Sequence, residues 1–332
     1  MTESTEEIHF VGLLANADWS LSKLKLRHGF KIEHRSLKDI SDLFSSAPQE
    51  TGSEFAKQFL EGAKSLAEGG SFIAVTNTFD SWGNEEGYFT DLDPNGPERT
   101  DGFLIPDYLE PVIRLMRLFK DGNLAMPMTI HYEIRDGRLH ASTYGGGYRP
   151  RFEGEKYSLA DLEVPNLQKV LDSTALPFKR GFLQLAFDFF ELESTIRNIA
   201  LQFLVLMIGL EVLFNPGEIP RISHTVASNA SKLLGESDQR RSEIYSELRE
   251  LYKKRSSLVH QGIYDYSSYL RSVAPDFEKL KINSVEARGE KASTFIQPLD
   301  LRQLRHYVRS SILKSLKIDK RKDDLLKSLA ES

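Results

Sequence analysis

The chain changes its hydrophobic rhythm about halfway along. In the first half, apolar runs of strand length alternate with amphipathic stretches of helix length. Ile8 to Leu14 and Phe72 to Val75 read as buried strands, and Phe30 to His34 as another. Ser36-Leu37-Lys38-Asp39 carries a capping pattern that opens a short helix, and the spacing from Glu54 to Ala67 predicts an amphipathic helix stopped by Gly69-Gly70. Leu109, Val112, Ile113, Leu115, Met116 and Phe119 recur at helical spacing up to Gly122.

Met128 to Tyr144 predicts a hairpin, because Asp136-Gly137 is a two-residue turn signal with alternation on both sides. In that register Ile134 faces Leu139 and Tyr132 faces Ala141 on the side expected to be core. Glu133 faces His140 and His131 faces Ser142 on the side expected to be polar.

After about Tyr157 the strand signals fade and helical ones take over. Phe182, Leu185, Ala186, Phe189 and Phe190 mark one apolar helix, and Ile199 to Phe214 a second, stopped by Asn215-Pro216-Gly217. Ile219 to Leu234 is a third and Ser242 to His260 a fourth; Asp300 caps a last helix carrying Leu301, Leu304, Val308, Ile312 and Leu316. The expected fold class is α+β: a mixed α/β domain over residues 1–157, followed by an all-α helical bundle over residues 158–332.

Composition narrows the function classes. A chain of 332 residues, 40% apolar and 27% charged, has the length and balance of two ordinary globular domains. No window reaches the roughly 18 to 20 apolar residues of a membrane span; the nearest, Ile199 to Phe214, is shorter and contains Gln202 and Glu211. The opening MTESTEEIHF is acidic where a secretory signal starts basic, and the absence of cysteine removes disulfides, thiolate zinc sites and cysteine nucleophiles. A cytoplasmic protein with no membrane association is expected. The net charge of -5 argues against general attraction to nucleic acid, so any phosphate site must be local. Asp80 to Asp101, with Glu85, Glu86, Asp91, Asp93 and Glu98 against the single Arg99, predicts an acidic surface loop that repels phosphate.

The candidate chemistry lies at the end of the fourth helix. Ile244, Leu248, Leu251, Arg255 and Leu258 follow the spacing of a core-facing stripe, which places Arg255 in an apolar row. A guanidinium there needs a carboxylate or phosphate partner, or a place on a seam or cleft. Glu211, the acid within the apolar second helix, faces the same problem and is a candidate partner. Five residues of regular helix leave Arg255 and His260 about 140° apart. Gly262, just past the last turn, offers the left-handed conformation that ends a helix and re-aims the residues before it. A histidine at a helix carboxyl end feels the negative pole, which favours its protonated form and suits it to acid-base work.

These segments carry a resemblance. "LMIGLEVLFNPG" (Leu206 to Gly217), the helix through "ASKLLG", and "ELYKKRSSLVHQG" (Glu250 to Gly262) resemble the Apea-like branch of the HEPN superfamily, whose mark is an Arg, about four to six residues, and a His. The likeness covers about Leu176 to Leu316, and the L-E-x-L-F helix end and L-Y-x-x-R-S-x-x-V-H-x-G context make it more specific than R-x4-H alone. It implies a HEPN-like helical bundle and a metal-independent endoribonuclease of a defence or toxin system, with its active site at a homodimer seam. RNA is then the partner, and no cofactor or metal is needed.

By the same resemblance, Arg255 holds the scissile phosphate and stabilises charge on the phosphorane, and His260 moves protons to or from the 2′-hydroxyl and the leaving oxygen. Glu211 and Ser256 support them, and Lys253, Lys254, Arg249 and Tyr264 contact RNA. Ser256 departs from the Asn, Asp or His often found after the arginine in the wider superfamily. Some members have lost activity, so the alternative is a non-catalytic RNA- or protein-binding dimerisation module.

Other signals leave two readings open. Arg240, Arg241, Arg249, Lys253 and Lys254 on the fourth helix, and Arg302, Arg305, Arg309, Lys314 and Lys317 on the last, either rim an electropositive cleft or form solvated faces. Tyr264, Tyr266 and Tyr269 either stack on bases or pack a loop onto the bundle. His131, Glu133 and His140 have metal-ligand chemistry but read as cross-strand polar neighbours, and no metal is assigned to them. Gly145-Gly146-Gly147 with Arg149 and Arg151 lacks the P-loop lysine and reads as a turn.

Overall fold

The strand-length apolar runs assemble into one sheet. In the computed structural model the described residues are 7–46, 49–51, 53–79, 105–135, 138–145, 156–196, 198–217, 221–261, 296–318 and 320–331. They form a mixed α+β protein of two compact units, Met1–Ala175 and Leu176–Ser332.

The first unit contains β1 (Ile8–Ala15), β2 (Lys31–Ser36), β3 (Gln49–Thr51), β4 (Ser71–Phe79), β5 (Ala125–Arg135) and β6 (Arg138–Gly145). Their order is β2-β4-β1-β5-β6-β3, antiparallel throughout except for the parallel pair β3 and β6. Both faces of the sheet are covered. Against one lie α1 (Leu37–Ser46) and α2 (Ser53–Leu66), whose Ile40, Phe44, Phe59 and Ala63 pack on Val11, Leu13, Ile130 and Tyr132. The cap read at Ser36 is formed, its Oγ accepting the Asp39 N–H at 3.3 Å. Against the other lie a 3-10 helix (Trp19–Lys23), α3 (Ile105–Phe119) and α4 (Glu163–Ser173). There Leu21, Leu109, Ile113, Met116 and Leu167 pack on Phe10, Ile32 and Val75.

The hairpin has the register read from its alternation, Glu133 opposite His140 and Ile134 opposite Leu139. The expected division into a core face and a polar face is corrected. His131 and Glu133 are 3% and 4% exposed, whereas Ile134, one residue from the end of β5, is 47% exposed. A sheet covered on both faces buries its polar positions too, and the His131 ring packs 5.1 Å from that of Phe10. Burial pushes the His131 imidazole down to about 4, so it is neutral near pH 7.

The boundary between units lies later than residue 157. Tyr157 pairs backbone with Asn16 and Asp18 and donates its hydroxyl to the Met116 carbonyl at 2.5 Å. Beyond it, Leu159 and Leu167 enter the core beside Leu21 and Leu24. Gln168 clamps the Lys25 backbone from both sides, accepting its N–H at 2.8 Å and donating to its carbonyl at 3.0 Å. The helical signals that follow Tyr157 thus begin with a helix, α4, that belongs to the first unit.

The second unit is helical among the described residues: α5 (Gly181–Thr195), α6 (Ile199–Phe214), α7 (Ile222–Leu234), α8 (Asp238–Gln261), α9 (Pro298–Ile318) and α10 (Lys322–Glu331). α6 lies against α5, α7, α8 and α9, which explains a helix apolar on nearly every side. Asn198 caps its start, accepting from the Ala200 and Leu201 N–H groups. α5 is helical where expected but turns a different face inward: Leu183, Ala186, Phe187 and Phe190 are buried, and Leu185 is exposed. Among the described residues no helix is long and apolar enough to cross a membrane. The acidic stretch Asp80 to Asp101, the Asp136-Gly137 turn, Gly146, Gly147, Arg149 and Arg151 lie outside the described residues.

Candidate functional site

Two charges set in apolar rows meet in the second unit. Along α8, Ile244, Leu248 and Leu251 are buried in a row that continues to Arg255, and α6 carries Glu211 in its last turn. Arg255 Nη2 lies 3.3 Å from Glu211 Oε1, with side-chain exposures of 31% and 19%. The contact is one of charge rather than of directed hydrogen bonds. Glu211 Oε1 and Arg255 Nε are both buried without a hydrogen-bond partner among the described residues.

A third group belongs to this cluster and was not singled out by sequence reasoning. Tyr252, one turn before Arg255 on α8, is 7% exposed, and its hydroxyl also has no hydrogen-bond partner among the described residues. Burial pushes its phenol well above the ordinary range, the nearby Glu211 charge adds to this, and Arg255 partly offsets it. The available signal was its position three residues before Arg255, beside the apolar row.

The positions of the other sequence candidates are mixed. Ser256 is exposed on α8. α8 continues through Gln261 as regular helix, so positions 255 and 260 stand about 140° apart around its axis. The side chain of His260, the cap expected at Gly262, and Tyr264, Tyr266 and Tyr269 lie outside the described residues.

Most of the expected phosphate-binding cations already have protein partners. Lys254 donates to Asp300 at 2.6 Å with both side chains about 15% exposed, and Arg249 donates to Ser223 Oγ at 2.6 Å. Lys253 pairs with Glu250 one turn away, both well exposed. On α9, Arg305 turns inward to Glu193 and lies 4.3 Å over the Phe190 ring, and Tyr307 donates to Glu247. Asp300, Glu193 and Glu247 reach Lys254, Arg305 and Tyr307 from other helices, pairings that no spacing along one helix reveals.

Elsewhere, no group of three or more His, Asp or Glu side chains among the described residues could hold a metal ion. In the first unit His131 and Glu133 serve the sheet interior. No family model, no curated protein and no solved structure matches the chain, so its likeness to the HEPN superfamily stands on the residues quoted above.

Proposed function

We propose that the second unit is a HEPN-like bundle acting as a metal-independent endoribonuclease of a defence or toxin system, its active site completed at a homodimer seam. The observation that carries this reading is Arg255: a guanidinium held at the edge of the bundle core, five residues before His260, facing Glu211 and, among the described residues, with unspent hydrogen-bonding capacity at Nε. A phosphodiester supplies the oxygens such a group is short of.

In the proposed reaction the 2′-oxygen of RNA attacks phosphorus while the bond to the 5′-oxygen breaks. Arg255 offsets the charge that builds on the phosphoryl oxygens. His260 takes the 2′ proton, and the His260 of a second copy delivers one to the leaving oxygen, which is why one chain would not suffice. Glu211 holds Arg255 in place between turnovers with Ser256 in a supporting role, and Lys253, Lys254, Arg249 and Tyr264 line the RNA path. The protein works in the cytoplasm without a cofactor, and the first unit recognises the substrate or the trigger.

A second reading has its own support. The pairing of Lys254 with Asp300, Arg305 with Glu193 and Arg249 with Ser223 engages three of the described cations on the faces expected to bind phosphate. That favours a non-catalytic RNA- or protein-binding dimerisation module in which Arg255 is a structural ion. RNA cleavage measured in EDTA separates the two. The ribonuclease reading expects cleavage that His260→Ala abolishes while melting temperature is retained; cleavage undiminished in that variant rejects it.

A further inference from the structure

We propose that Tyr252 is a positioning residue that takes over the charge of Glu211 whenever Arg255 turns from that carboxylate to another partner. The inference rests on the ribonuclease reading for its purpose, but its physical content lies wholly in three side chains.

Glu211 Oε1, Arg255 Nε and the Tyr252 hydroxyl are each buried and each without a hydrogen-bond partner among the described residues. Two are donors and one is an acceptor. Buried polar atoms are almost always satisfied in folded proteins, so three in one place mark a cluster with more than one arrangement open to it. In the arrangement observed, Glu211 faces Arg255 at 3.3 Å. An arginine recruited to a phosphodiester cannot serve Glu211 equally well, and a carboxylate 19% exposed would be left short of a partner. The Tyr252 hydroxyl, on α8 three residues before Arg255, lies near enough to Glu211 for that carboxylate's charge and side-chain contact to add to burial in raising the phenol, yet it is not in bonding geometry with any partner among the described residues. Its rise above the ordinary phenol range keeps the proton on the oxygen, where it can be donated. Arg255 is thus free to move without stranding a buried charge.

A cycle of variants tests this without RNA. Arg255→Met keeps most of the side-chain stem, so the fold survives, and it forces Glu211 onto Tyr252. The loss in melting temperature caused by Arg255→Met should be larger by roughly 5 °C when residue 252 is Phe than when it is Tyr. In a Glu211→Gln background that difference should vanish. Equal losses with Tyr and Phe overturn the inference whatever the protein does to RNA. A second arm measures cleavage in EDTA: Tyr252→Phe should raise KM about tenfold with little change in kcat, because the cost falls on engaging the phosphodiester. Wild-type protein that neither binds nor cuts RNA rejects the ribonuclease reading, and the melting cycle still decides the role of Tyr252.

Discussion

Glu211 and Arg255 approach to 3.3 Å across α6 and α8, yet neither Glu211 Oε1 nor Arg255 Nε has a hydrogen-bond partner among the described residues. An ion pair of this kind is bound by charge and loosely aimed. Loose aim is a liability in a core and an asset in a site, because the guanidinium can change partners at low cost.

Removing the arginine should therefore destabilise the helical unit moderately. A fully buried pair broken on one side costs about 3–5 kcal/mol; with 31% of the Arg255 side chain reaching solvent, Arg255→Ala should cost about 1–3 kcal/mol. Urea denaturation with the m-value unchanged measures it. A cost below about 0.5 kcal/mol would mean that water or the Tyr252 hydroxyl satisfies Glu211 once the arginine is gone.

If the ribonuclease reading holds, His260→Ala should lower cleavage about 10²- to 10⁴-fold, the usual contribution of one acid-base group. Circular dichroism and melting temperature should stay at wild-type values. EDTA should leave wild-type cleavage unchanged.

Lys253 and Lys254 are neighbours in sequence with opposite expectations. Lys254→Met breaks a pair with Asp300 that is about 15% exposed on each side, and should cost about 1–3 kcal/mol of stability. Lys253→Ala loses only a surface pair with Glu250 and should stay within about 0.5 kcal/mol of wild type. If Lys253 touches RNA, the slope of log affinity against log salt falls by about one in Lys253→Ala.

The first unit should lose stability in mild acid through His131. Its folded-state value, about 4, lies below the ordinary 6.5, so the unfolded chain binds the proton more readily. The contribution is complete above pH 6.5 and is lost as pH falls toward 4, a span worth about 3 kcal/mol. His131→Leu should flatten the dependence in that window, followed by strand amide protection or sheet-sensitive circular dichroism. A slope unchanged in the variant would assign the acid sensitivity to other groups.

Leu167 tests the position of the unit boundary. It is fully buried beside Leu21 and Leu24, so Leu167→Ala should cost about 2–5 kcal/mol. Hydrogen exchange should speed up in β1 and β4. Faster exchange confined to α5 through α9 would place residues 158–175 with the helical bundle instead.

Local periodicity carried much of this protein's architecture. Strands and helices appear where two-residue and 3.6-residue rhythms placed them, because those rhythms are properties of adjacent residues. The β5-β6 register was legible for the same reason. So was the meeting of Glu211 and Arg255, since two lone charges in apolar rows pose one problem with a shared solution.

What the chain alone left undecided was the partner at each surface. His131 and Glu133 are buried because both faces of the sheet are covered, and α4 joins the first unit because Lys25 and Leu21 meet it there. Lys254 and Arg305 are engaged because Asp300 and Glu193 arrive from other helices. Burial and pairing depend on groups distant in sequence, and only the tertiary structure brings them within a few ångströms. Tyr252 became visible for that reason alone: beside Glu211 a buried hydroxyl is a donor in reserve, and in the linear chain it is one more aromatic next to a stripe.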